Sequence, residues 1–138
     1  MIKRIINKIA LFIWQLPQTI LALALYLVWR KRISHSYSYR GKLVFVFSSG
    51  SAAAVSLGEI IFVFANSSPS VLDHEYGHSV QSLIFGPLYL LVIGIPSFVF
   101  CYLWDILFHK NWTYTKRTAW YHNRYPENWA DKLGYKKI

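Results

Sequence analysis

Apolar and polar residues alternate at helical spacing from the beginning of the chain. Apolar residues among positions 2–14 recur three or four places apart, and they are Ile2, Ile5, Ile6, Ile9, Phe12 and Ile13. Residues at this spacing share one helical face, so the pattern predicts a helix lying at a membrane surface. Pro17 interrupts it, and Gln18 to Trp29 forms a second apolar helix that is too short to cross the hydrocarbon by itself. The pattern fits either one kinked span or a hairpin that enters and leaves the same leaflet.

The second apolar stretch, Leu43 to Ala65, is long enough for a membrane helix but has the wrong interior. It holds several serines, two glycines and Glu59, and an unpaired carboxylate in lipid is costly. Its two ends are rich in β-branched and aromatic residues, which favours strands at 43–47 and 59–64 with a Ser/Gly turn between them. We therefore predict a small antiparallel sheet.

A third apolar stretch follows a predicted helix. Ser70 is a candidate N-cap for a helix that runs to about Phe85, where Gly86-Pro87 ends it. Leu88 to Phe108 is then apolar almost throughout, and it is broken at Gly94-Ile95-Pro96. The path of this stretch is constrained by the polar motifs on either side of it.

The first of these motifs is His74-Glu75-Tyr76-Gly77-His78. Two imidazoles four positions apart lie on the same helical face, so both can bind one metal ion. Glu75 follows the first imidazole and can take a proton from a water bound to that ion. The alternative is that His74 and His78 are surface histidines of an amphipathic helix.

The second motif, Glu127-Asn128-Trp129-Ala130-Asp131, supplies a candidate third ligand. Glu127 and Asp131 are one helical turn apart and share a face. One of them can ligate the ion while the other accepts a hydrogen bond from a liganding imidazole. The alternative is that both carboxylates lie on a solvated helix face.

The order HExxH and then a distant ExxAD resembles the gluzincin superfamily of metallopeptidases. The resemblance implies a Zn²⁺ cofactor with His74, His78 and Glu127 as ligands, Glu75 as the catalytic base, and Asp131 as an outer-shell partner. It also implies a His or Tyr that stabilises the transition state. The sequence does not choose among the candidates for that role, which are His109, His122, Tyr114, Tyr121 and Tyr125.

Four segments also resemble a family of small bacterial membrane-associated proteins with metallopeptidase motifs. These segments are VSLGEIIFV at 55–63, HEYGHSVQSLIFGPLYLLVIGIPS at 74–97, ENWADKLG at 127–134 and WQLPQ at 14–18. The likeness covers about half of the chain. It implies a membrane-associated peptidase and leaves the substrate open.

A shared ion constrains the third apolar stretch. If residues 88–108 crossed a bilayer as one straight span, the two histidines and Glu127 would lie on opposite sides, whereas zinc–ligand bonds are about 2 Å long. The break at Gly94 and Pro96 permits the chain to turn back. We therefore predict a re-entrant apolar hairpin with the metal site on one side; the alternative is an ordinary span without a shared metal.

Composition and charge support a membrane location. Of all residues, 54% are hydrophobic and 18% aromatic, which indicates lipid contact rather than an ordinary soluble core. The net charge of +9 is concentrated beside the apolar stretches, at residues 3, 4, 8, 30–32, 110, 116 and 117. Basic flanks favour cytoplasmic retention, so we predict a bacterial cytoplasmic membrane protein with its site on the cytoplasmic face. No nucleic-acid-binding module is visible.

The N-terminus and the single cysteine narrow the picture further. Ala22-Leu23-Ala24 resembles a signal-peptide cleavage site, but the apolar run continues to Trp29 and three cations follow. A retained anchor is therefore favoured over a cleaved signal. Cys101 has no partner for an internal disulfide and cannot build a thiolate zinc site.

The sequence thus predicts a single membrane-embedded α+β domain over residues 1–138, with an anchor at 1–32 and a metal-site core at 33–138. The expected function is zinc-dependent hydrolysis of peptides or membrane-protein segments at the bilayer surface, with the substrate extended along the second strand. The expected partners are membrane lipids and that substrate, and the oligomeric state is open. One alternative is a non-catalytic adaptor with a structural zinc site, and another is a membrane-active amphipathic peptide.

Overall fold

The computed structural model describes residues 2–48 and 54–135. These residues form six α-helices: α1 (Ile2–Trp14), α2 (Leu16–Trp29), α3 (Pro69–Phe85), α4 (Trp104–Phe108), α5 (Tyr114–His122) and α6 (Glu127–Gly134). They also form four strands: β1 (Ile33–Tyr39), β2 (Lys42–Phe47), β3 (Val55–Leu57) and β4 (Ile60–Phe64). The α+β class predicted from the sequence is confirmed.

The sheet is mixed, with the strand order β1-β2-β4-β3. Both predicted strands are present, but the antiparallel pairing predicted for them is wrong because β2 and β4 run parallel. The short strand β3 causes the difference: it pairs antiparallel with β4 through a turn at Gly58, where φ is +69°. β2 therefore pairs with the other edge of β4, and a longer crossover connects these two parallel strands. The predicted Ser/Gly turn falls mainly on residues 49–53, outside the described residues.

The strand β4 is buried between helices on both faces. Ile60 and Phe62 of β4 face α2, where they pack with Ala22. Ile61 and Val63 point the other way and pack with Leu72 of α3. Alternate residues of a strand point to opposite faces, so a strand covered on both sides becomes apolar throughout.

The two N-terminal helices meet at an angle of 94°, and a buried polar cluster fixes the bend against the core. The amide of Gln18 donates to the hydroxyl of Ser82 and to the carbonyl of Gly86, at 2.8 and 2.9 Å. Gln15 accepts from Ser82 at 2.6 Å and donates to Glu59, whose carboxylate also pairs with Lys42. The WQLPQ segment at 14–18 therefore attaches the N-terminal helices to the core. Glu59, whose carboxylate would be costly in a membrane helix, is paired with Lys42.

The third apolar stretch does not form the predicted hairpin. Helical structure continues from Leu90 to Phe108 through π-helical segments at Leu90–Gly94 and Pro96–Leu103 and then α4. The wider π turns accommodate Pro96, which lacks an N–H, without reversing the chain. This long apolar helix, residues 90–108, is long and apolar enough to span a membrane.

The chain reverses after Phe108 instead. α5 runs back antiparallel to the long apolar helix: Arg117 pairs with Asp105 at 2.6 Å, and the Tyr125 hydroxyl donates to the carbonyl of Val92 at 2.9 Å. This return brings α6 against α3, so the two motifs meet although a long helix separates them.

Candidate metal centre

α3 and α6 cross at two glycines that permit backbone contact. A β-carbon on Gly77 would lie 1.9 Å from the carbonyl oxygen of Ala130, and one on Gly134 would lie 1.9 Å from that of Asp73. No side chain fits at either position without separating the helices. α3 begins at Pro69, one residue before the predicted cap Ser70, and it ends at Phe85 as predicted.

The structure brings His74, His78 and Glu127 together at this crossing. Oε2 of Glu127 lies 2.9 Å from Nε2 of His74 and 3.2 Å from Nε2 of His78. One ligand atom from each residue lies within 4.8 Å of the others, and all three residues are buried. Ligands bound to zinc at about 2 Å in a tetrahedron lie about 3.3 Å apart, so small movements suffice to admit an ion. This group can hold a metal ion.

The outer nitrogens of both imidazoles have fixed partners. Nδ1 of His74 lies 2.7 Å from Asp131, and Nδ1 of His78 lies 2.7 Å from the amide oxygen of Gln81. The other end of the Gln81 amide donates to the carbonyl of Pro126 at 3.1 Å, which fixes its orientation. Acceptors at both Nδ1 atoms keep a proton there and direct both Nε2 atoms toward Glu127, where they can bind an ion once it displaces the Nε2 protons. The donor set therefore fits a divalent ion such as zinc.

Glu127 also carries an unsatisfied buried atom. Its Oε1 has no hydrogen-bond partner among the described residues. Buried carboxylate oxygens are seldom left without a partner, and a bound cation satisfies such an atom. This is a second observation, independent of the histidine geometry, that fits a metal ion at this position.

The pKa values follow from this crowding of charge. Burial by itself would lower the pKa of His74, but its hydrogen bonds to Asp131 and Glu127 and the nearby carboxylate of Glu75 raise it to about 10. Burial by itself would raise the pKa of Glu127, but hydrogen bonds from His74 and His78 hold it below its usual range. Without a metal ion, the imidazoles are therefore protonated, and their positive charge balances the negative charge of the carboxylates.

Glu75 lies next to this cluster and lines an apolar cavity of about 690 Å³. His78, Tyr89 and Tyr121 share the cavity wall, and most of the remaining lining is aliphatic or aromatic. Among the described residues Glu75 has no recorded hydrogen-bond partner. Burial raises the pKa of this carboxyl, and the charged imidazoles of His78 and His74 oppose that rise. A carboxylate with a raised pKa beside an open cavity has the properties of a general base.

Of the five candidates for a transition-state donor, only Tyr121 lines the cavity in the part of the chain that the structure describes. Tyr121 lines the cavity with Glu75, and burial raises the pKa of its hydroxyl, which stays protonated. His122 binds the second oxygen of Asp131 at 2.8 Å and is therefore held away from the cavity. His109 pairs with Asp105, and Tyr125 donates to the carbonyl of Val92. Tyr114 is exposed.

β4, the predicted second strand, lines the cavity through Phe62 and Phe64, but the edge strand beside the cavity is β3. β4 has partners on both edges and offers no free edge for an extended substrate. β3 is at the edge of the sheet, and its residues Val55, Ser56 and Leu57 line the cavity. A three-residue strand flanked by alanines and a glycine carries little sequence signal, which explains why it was missed.

Compared with protein-family models, curated proteins and solved structures, the chain matches none. The fold and the site geometry therefore carry the functional argument alone.

Proposed function

We propose that the protein is a zinc-dependent peptidase. The observation that carries the proposal is the convergence of two imidazole Nε2 atoms on one buried carboxylate oxygen while both Nδ1 atoms are held by other acceptors. His74, His78 and Glu127 would hold the ion, and Asp131 and Gln81 would fix the imidazoles. When bound, zinc supplies a Lewis acid and a water that loses its proton near neutral pH.

Glu75 and Tyr121 carry the remaining chemistry. Glu75 takes the proton of the attacking water and delivers it to the leaving amine, and its raised pKa suits both transfers. The hydroxyl of Tyr121 is buried in the same cavity and protonated, so it donates to the oxyanion that forms on the peptide carbonyl.

The lining of the cavity supports a substrate with apolar side chains. Its wall is formed by apolar residues of α2, the sheet and the long apolar helix, including Leu25, Phe62 and Leu90. Such a wall accepts apolar side chains and excludes charged ones. Among the described residues β3 is an edge strand and can pair with an extended backbone, so the substrate is an extended peptide with apolar residues next to the scissile bond.

The protein acts from one face of a membrane, on the cytoplasmic side. α5 accompanies the long apolar helix and carries Lys116 and Arg117, with Arg124 just beyond it. If that helix crossed the bilayer, these cations would enter the hydrocarbon at a cost of about 2.5–3.5 kcal/mol each or more. Insertion of the apolar surfaces into one leaflet avoids that cost and leaves the cations among the headgroups.

The test is peptide hydrolysis by the full chain, purified in a neutral detergent and loaded with zinc. A quenched peptide library is compared for the wild type, Glu75→Gln and the control His35→Gln, which changes an exposed side chain of β1 outside the metal centre. We expect Glu75→Gln to lose at least about 100-fold in rate while retaining zinc, and the control to stay active. Zinc binding without turnover in the wild type would reject the peptidase and leave an adaptor with a structural zinc site.

A further inference from the structure

A second concave site lies between α5 and the long apolar helix. It is an open groove of about 770 Å³ that shares no lining residue with the metal centre or the apolar cavity. Its wall contains aromatic and basic side chains, among them Phe100, Trp112, Lys116, Trp120 and Arg124. Neither the metal centre nor the proposed peptidase reaction uses this groove.

Four of these residues alternate between aromatic and basic along α5 and its two ends. Lys116 and Trp120 are one turn apart on α5, Trp112 lies two residues before the helix, and Arg124 lies two residues after it. Nζ of Lys116 is 4.0 Å from the ring centre of Trp112, and Cζ of Arg124 is 4.4 Å from that of Trp120. The side chains of Lys116 and Arg124 are therefore held over indole rings rather than extended into solvent.

The rings are themselves fixed by His109. Its imidazole stacks on Trp112 with 3.8 Å between ring centres and meets Trp120 edge-on at 4.3 Å. His109 is buried and hydrogen-bonded to Asp105. The histidine that was a candidate for catalysis thus supports the wall of this groove.

The positive charge of the groove is uncompensated. No carboxylate lines it, and among the described residues neither Lys116 nor Arg124 forms an ion pair. The neighbouring Arg117, on another face of α5, is by contrast paired with Asp105. Two ordered cations without a counter-charge form a site for an anion.

The other wall of the groove is apolar, which fits an anion with an apolar part. Phe100 lies in the groove and is 58% exposed, in the middle of the long apolar helix. Exposed apolar side chains continue along that helix on both sides of it, at Val99, Trp104, Leu107 and Phe108. Indole rings beside cations and next to exposed apolar surface are typical of protein at the level of lipid headgroups.

We propose that this groove binds the headgroup of an anionic phospholipid. Lys116 and Arg124 contact the phosphate, Trp112 and Trp120 pack against the glycerol region, and the acyl chain lies over Phe100. A bound lipid fixes the depth and rotation of α5 in the interface. An acidic peptide would satisfy the cations but would leave the exposed apolar wall uncovered, so the lipid fits better.

The test is titration of the full chain in a neutral detergent with short-chain phospholipids, followed by tryptophan fluorescence and calorimetry. The probes are dihexanoyl phosphatidylglycerol, dihexanoyl phosphatidylcholine, inorganic phosphate and a short poly-glutamate peptide. The groove variant Lys116→Gln/Arg124→Gln is compared with Lys110→Gln/Lys132→Gln, which removes the same charge from exposed positions outside the groove. Zinc content and far-UV circular dichroism verify that each variant is folded.

We expect the wild type to bind phosphatidylglycerol in preference to phosphatidylcholine, the groove variant to lose about tenfold or more in affinity, and the control to lose less than about twofold. An equal loss in both variants would show general surface charge and overturn the proposal. Inorganic phosphate or poly-glutamate bound as tightly as the lipid would also overturn it, in favour of a free anion or an acidic protein. None of these outcomes depends on peptidase activity.

Discussion

Gly77 and Ala130 are in direct backbone contact, and this contact sets the distance between the two halves of the metal centre. The carbonyl oxygen of Ala130 occupies the position that a β-carbon at residue 77 would need. Gly77 lies between His74 and His78 in α3, and Ala130 lies between Glu127 and Asp131 in α6. A separation of the helices at this point therefore moves both ligand sets apart.

We expect Gly77→Ala to weaken zinc binding about tenfold or more, because the added methyl group pushes α6 away and overpacking of this kind costs about 1–3 kcal/mol. Competition with a zinc chelator measures the affinity. The matched control is Gly94→Ala, whose β-carbon would meet only ordinary contacts, the nearest at 3.4 Å. Wild-type zinc affinity in Gly77→Ala would show that the close contact does not position the ligands.

Gln81 is expected to matter as much as Asp131, although no sequence motif includes it. Gln81→Leu removes the acceptor for Nδ1 of His78, which frees the ring to rotate and to change tautomer. We expect zinc affinity to fall about tenfold to a hundredfold. Gln81→Glu keeps an acceptor at the same reach but loses the donation to the carbonyl of Pro126, so it should recover only part of that loss. If Gln81→Leu binds zinc normally, the amide does not orient His78.

Zinc binding is expected to strengthen as the pH rises. In the metal-free protein the pKa of His74 is raised to about 10, so at neutral pH zinc must displace a proton from this ring. That proton stabilises the metal-free fold below the ordinary histidine pKa, and the stabilisation is lost as the pH rises toward 10. The increase in unfolding temperature on adding zinc should therefore be larger at about pH 8.5 than at about pH 6. Calorimetry at both pH values measures it, and equal increases would contradict a protonated cluster.

Substrate preference tests the apolar cavity, given peptidase activity. Leu25→Trp places a larger side chain in the cavity wall and is expected to raise KM for peptides with large apolar residues by roughly tenfold, with zinc content unchanged. Leu23→Trp, on the same helix but 51% exposed and outside the wall, is the matched control. The same KM in both variants would place the substrate elsewhere.

The sequence predicted those parts of the site that depend on spacing within one helix. The residues of each i, i+4 pair, His74/His78 and Glu127/Asp131, lie on one face of their helix. In the structure these two faces are in contact. Gln81 and Gly77 lie on the same helix but were missed, because their roles arise only from contact with Pro126 and Ala130. Contacts between segments so far apart in the chain leave no local periodicity.

The fold was predictable where local preference and tertiary packing agree. The first N-terminal helix and the positions of the strands at 43–47 and 59–64 followed from apolar spacing and β-branched composition, whereas the second helix begins at Leu16 rather than at Gln18, with Pro17 in its first turn. The direction of pairing did not, because it depends on β3, which has three residues. The hairpin at Gly94 and Pro96 was inferred from the need to reunite the motifs. The chain meets that need by reversing after Phe108.

The central claim is that His74, His78 and Glu127 hold one zinc ion. Its most direct test is zinc content together with X-ray absorption on the purified full chain, compared with His78→Ala and with His35→Ala, an exposed histidine of β1. The account predicts one zinc per chain with two imidazole nitrogens and a carboxylate oxygen, lost in His78→Ala and kept in His35→Ala. A metal-free wild type after incubation with zinc, or zinc that survives in His78→Ala with unchanged coordination, would contradict it.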